Sequence, residues 1–224
     1  MLNNALIVSC LLAVAGTAHA AVIWNQPADG SGNGAASQYD PLAFGNFATA
    51  FDNFTISKGT NLTGFSWVGE YFNLSGPAQI TAWTVTLYSD AGGQPGGAIK
   101  SWTFAGDGGE TDIGSFGGYE NYAYSESFAP LAASPGVYWV SVVPDLVFQP
   151  QWAWVSGIGG DSKSFQDLFG ARSQLSNDLA FTVDGFDRGG VPEPASWTLM
   201  LTGFGGLGAA LRRRRAPTVD PAGS

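Results

Sequence analysis

Glycine occupies 32 of the 224 positions, and that single feature argues against most helical folds. An interior glycine costs a helix about 1 kcal/mol relative to alanine, whereas turns between strands use its freedom at positive φ directly. The stretches between turn signals carry strand chemistry: β-branched and aromatic residues bounded by Gly, Pro, Asn and Asp. Nine such stretches run over residues 21–25, 51–57, 62–68, 79–89, 98–104, 119–128, 136–143, 151–156 and 178–183. From Thr81 to Tyr88, alternation sets Trp83, Val85 and Leu87 on one face and Ala82, Thr84, Thr86 and Tyr88 on the other, as in a half-buried strand. Residues 137–143 are apolar on both faces, which predicts a central strand. The pattern predicts an all-β body over residues 21–186, folded as a two-sheet β-sandwich or jelly roll. Residues 164–175 are expected as a short helix or an irregular loop, residues 30–34 as a flexible loop, and 187–191 as a linker.

The only Cys and the only His, Cys10 and His19, both lie ahead of this body. The body therefore lacks the residues for Cys nucleophiles, Ser-His-Asp triads, disulfides and zinc sites of imidazole and thiolate. Between Ala21 and Gly190, sixteen Asp and Glu face five Lys and Arg, a formal balance of −11. Nucleic acid would be repelled, because phosphate binding needs a basic footprint.

The two ends read as addresses. An apolar run from Ala5 to Gly16 precedes Ala18-His19-Ala20, the small-residue pattern of secretory cleavage, so residues 1–20 are expected as a signal peptide with an apolar helix. At the other end Pro192-Glu193-Pro194 and Trp197 precede an uncharged run to Leu211, and then Arg212, Arg213, Arg214 and Arg215. Seventeen residues from Ala195 to Leu211 make a helix of about 25 Å, just enough to cross roughly 30 Å of hydrocarbon with help from its flanks. Arginines stay on the cytoplasmic side, which leaves the body outside and residues 216–224 as a short cytoplasmic tail.

Residues 192–215 resemble the PEP-CTERM sorting domain in their Pro-Glu-Pro motif, glycine-rich apolar helix and terminal arginines, and Trp197 gives them the spacing of the Pro-Glu-Pro-x-x-Trp subtype. The resemblance implies an exosortase as transient partner. It also implies an inner-membrane-anchored precursor with a periplasmic body, then delivery to the cell surface or to an exopolysaccharide matrix.

Three chemistries are weighed for the body. Trp152 and Trp154, at i and i+2, share a strand face and form a candidate platform for sugar rings; core filling is the competing reading. Asp107, Glu110 and Asp112, with Asp184 and Asp187, offer oxygens in glycine-rich turns to a calcium ion, although Asp-Gly is also ordinary turn composition. Glu120 and Glu126 lie about 20 Å apart along one strand, too far to act as a glycosidase pair. Such a pair would need Glu70 or Asp112. A non-enzymatic surface protein is therefore the leading expectation, ahead of a carbohydrate-binding module and a carboxylate-based glycan hydrolase or lyase.

Overall fold

A computed structural model describes residues 20–73 and 79–188. The signal peptide, the Pro-Glu-Pro motif, Trp197, the tail helix and the arginines lie outside the described residues. The chain divides into two units, Met1–Phe186 and Asp187–Ser224. Among the described residues every regular element is a strand, and no helix is long and apolar enough to cross a membrane.

Numbered in chain order, eight strands form one sheet: β1 (Ala21–Gln26), β2 (Gly34–Ala36), β5 (Thr60–Phe72), β8 (Thr111–Phe116), β9 (Tyr119–Ala133), β11 (Gln151–Gly157), β14 (Asp178–Leu179) and β15 (Phe181–Asp187). Seven form the other: β3 (Gln38–Asp40), β4 (Gly45–Ile56), β6 (Ala82–Asp90), β7 (Pro95–Ala105), β10 (Gly136–Asp145), β12 (Ser164–Leu168) and β13 (Ala171–Leu175). The first sheet is organised around β5, which pairs with β9 along one edge, from Thr60↔Ala133 to Glu70↔Asn121. Its other edge meets β15 and, from Gly69 to Phe72, β11. The second runs β13-β12-β4-β3-β10-β6-β7, so the strand that is apolar on both faces, β10, does lie inside its sheet.

The sheets face each other across an aromatic core. Trp83 of the second sheet meets Trp67 and Trp152 of the first, with ring centroids 4.9 and 5.0 Å apart. Phe54 meets Phe181 at 6.1 Å. Trp83, Val85 and Leu87 all point into this core, as their alternation predicts. Gly69 makes room for it: a Cβ there would lie 2.1 Å from Cζ2 of Trp152, so the indole packs flat on glycine backbone.

One buried polar tie also links the sheets. Asp52 of β4 accepts hydrogen bonds from Gln26 Nε2 at 2.8 Å, from Leu179 N–H at 2.5 Å and from Asn53 N–H at 2.6 Å. Burial pushes its carboxyl well above the usual range, against the pull of those donors.

Two expectations are corrected. Residues 164–175 form the hairpin β12–β13, turned at Phe169 and Gly170, both at positive φ (49° and 82°) as a two-residue hairpin turn demands. Phe165 fixes the hairpin's register by packing with Phe51 and Trp139 in a second, smaller apolar cluster. Nor is the stretch around residues 30–34 a loose loop, because Asp29 N–H donates to Ser156 O and Ser156 N–H to Asn33 O (3.0 and 2.8 Å), and Gly34 opens β2.

Candidate functional site

The sugar-platform reading of Trp152 and Trp154 fails on burial. Both are 0% exposed and lie in the core between the sheets. Trp154 Nε1 donates to Ala180 O at 2.8 Å and Trp152 Nε1 to the Tyr124 hydroxyl at 3.3 Å. Their shared face is the inner one, where apolar contact with Gly69, Trp83 and Phe181 outweighs any use as a surface.

That indole begins a chain of donors leading outward. Tyr124 OH donates to Glu110 Oε2 at 2.9 Å, and Tyr71 OH donates to the same oxygen. Burial is the largest cause that pushes both phenols above their ordinary range; Glu110 comes next at Tyr71, and Tyr71 and then Glu110 at Tyr124, so both stay protonated at any physiological pH. Glu110 stands at a pocket of about 300 Å³ lined by Gln79, Ile80, Gly106, Asp107 and Glu110.

The calcium candidates do not converge. Asp107 Oδ1 accepts Gly109 N–H at 3.0 Å and Asp112 Oδ1 accepts Gly114 N–H at 2.8 Å, so each closes its own turn. Glu110 is engaged by the two phenols, Asp184 lies in β15 with its carboxyl pushed up by burial, and Asp187 ends that strand. Among the described residues no three His, Cys, Asp or Glu side chains come together. The proposed glycosidase partners stand in different surroundings. Glu120 accepts from Ser115 Oγ at 3.2 Å in the β8–β9 hairpin, Glu126 is pushed up by burial and by Asp107, and Glu70 is sealed from solvent.

Two features escaped the sequence reading. Phe44, Phe47, Phe148 and Phe169 cluster, with Phe44 5.6 to 6.3 Å from the other three rings. Phe44 and Phe169 are 51% and 70% exposed and Leu42 is 78% exposed. These residues come from the β3–β4 turn, the start of β4, the β12–β13 turn and the segment after β10, so only the fold assembles the patch. The second feature is the burial of Glu70, whose carboxylate is fully enclosed with neither oxygen hydrogen-bonded.

The described body is thus an all-β sandwich whose acidic side chains are spread over strands and turns. The PEP-CTERM protein-sorting motif matches residues 190–215, which include Pro192, Glu193, Pro194, Trp197 and the four arginines. That signal implies export, a membrane-anchored precursor and processing by an exosortase. No curated protein matches the chain.

Proposed function

We propose that this is a non-enzymatic protein of the cell surface or exopolysaccharide matrix, delivered by exosortase with its body in the periplasm until the tail is removed. The match of residues 190–215 to the sorting motif carries the reading. The body supports it: the body holds no Cys or His, and the carboxylates of Asp107, Glu110 and Asp112 are tied to turns and phenols. A formal balance of −11 between Ala21 and Gly190 suits a component that must not adhere to nucleic acid. Comparing wild-type and exosortase-deleted hosts tests it. The body should reach the surface or matrix fraction only in the wild type; equal delivery in both strains would remove the role of sorting.

The exposed rings favour a second reading, a carbohydrate-binding module. Phe44 and Phe169 are the most exposed aromatic rings among the described residues and offer faces for sugar rings in place of Trp152 and Trp154. In affinity electrophoresis through the host's own exopolysaccharide, this reading requires retardation of the wild type and its loss in Phe169→Ala. An unretarded wild type leaves the first reading alone.

A further inference from the structure

Glu70 and Asn121 face each other across the β5–β9 ladder, so their side chains project to the same side of the sheet. That is the side opposite Trp67, Gly69 and Tyr71, and hence away from the sandwich core. Even so, both residues are 0% exposed. What encloses them is the segment leading into β2. Gly32 (φ 71°) lies so close to the β8–β9 turn that a Cβ there would be 2.5 Å from Gly117 Cα, and a Cβ on Gly117 would be 2.4 Å from Ser31 O. A Cβ on Gly34 would be 3.1 Å from Glu70 Oε1, so the carboxylate lies against bare backbone.

Under this cover three acceptors lack a donor: both oxygens of Glu70 and Oδ1 of Asn121. The Asn121 amide cannot be reversed to supply one, because its Nδ2 donates to Tyr119 O at 2.9 Å and reversal would set two oxygens together. A buried polar group without a partner costs about 1–3 kcal/mol, and a charged one more. Protonating Glu70 would provide one hydrogen for three oxygens and leave the rest unmatched. Asp29 adds a second carboxylate, close enough to raise the Glu70 carboxyl; its Oδ1 accepts Ser31 N–H at 2.8 Å.

We infer that Glu70 and Asn121 hold a hard divalent cation of the calcium class beneath the 29–34 segment, with the charge of Asp29 supporting it from the exposed start of that segment. Every donor is oxygen, as calcium requires. The two carboxylates balance a charge of +2, and an ion satisfies at once the acceptors that a proton cannot. This site shares no residue with Asp107, Glu110, Asp112, Asp184 and Asp187. Glu70 and Asn121 lie on paired strands, so it depends on the sheet rather than on turn composition.

The test is thermal unfolding of the full chain in detergent at pH 8, in excess calcium, excess magnesium and EGTA. Roughly a hundredfold calcium excess over Kd should raise the Tm by about 5–10 °C relative to EGTA, with a smaller effect from magnesium. The rise should disappear in Glu70→Gln and shrink in Asp29→Asn, an exposed substitution that leaves the core intact, and should persist in Asp107→Asn. A calcium-independent wild type, an undiminished rise in Asp29→Asn, its loss in Asp107→Asn, or an equal response to magnesium would each overturn the assignment.

Discussion

Around Gly69, Glu70 and Tyr71 the two faces of β5 are both fully enclosed, by opposite means. On the inner face, Trp67, Gly69 and Tyr71 meet Trp83, Tyr124 and Trp152, rings against rings and backbone, and the buried hydroxyls find Glu110. On the outer face, Glu70 is just as fully shielded, but by a backbone segment that gives its oxygens nothing to bind. Zero exposure therefore means different things one residue apart. Inside, it reflects apolar contact that stabilises the sandwich. Outside, it marks a carboxylate without a hydrogen-bond partner.

The sharpest way to break this contrast is at Trp152. Trp152→Ala should lower stability by about 3–5 kcal/mol in urea unfolding, because the indole fills the centre of the core; a change below about 0.5 kcal/mol would return Trp152 to the surface.

The next effect is a pH dependence with a definite sign. The Glu70 carboxyl is pushed up from 4.5 to about 7 by burial and then by Asp29. Between those values the folded chain holds a proton that the unfolded chain has released. In EGTA, the contribution of Glu70 to stability is therefore fully present below about 4.5 and is lost as pH rises through about 7, by up to about 3 kcal/mol. Asp52, also pushed up, contributes with the same sign. Glu70→Gln should flatten the part due to Glu70, and an unchanged slope would show that its carboxyl is already ionised in the fold.

Gly69→Ala should cost about 1–3 kcal/mol by overpacking against Trp152. The smallest effect on stability belongs to Phe169→Ala, within about 0.5 kcal/mol in the same urea assay, because this ring is 70% exposed. That variant separates open aromatics from closed ones.

Much of the inner face was legible from spacing alone. Period-two alternation put Trp83, Val85 and Leu87 together, the i, i+2 relation did the same for Trp152 and Trp154, and a doubly apolar run identified β10. Which side of the sheet is wet is not encoded in alternation, so the same spacing that paired the tryptophans could not tell core from platform. The β12–β13 hairpin was missed because its turn is Phe169-Gly170, without the Asn-Gly or Asp-Gly signature. The short strands β2 and β3 carry too few residues for a period to show. Glu70 was visible only as a carboxylate in a strand; its burial depends on Gly32 meeting Gly117, a contact between distant segments that no local pattern announces.

The most direct test of the central claim is the intact mass of the protein recovered from the surface or matrix of its host. Sorting by the tail predicts a chain that begins at Ala21 and has lost the segment from Trp197 to Arg215. A surface protein that still carries that segment would contradict it.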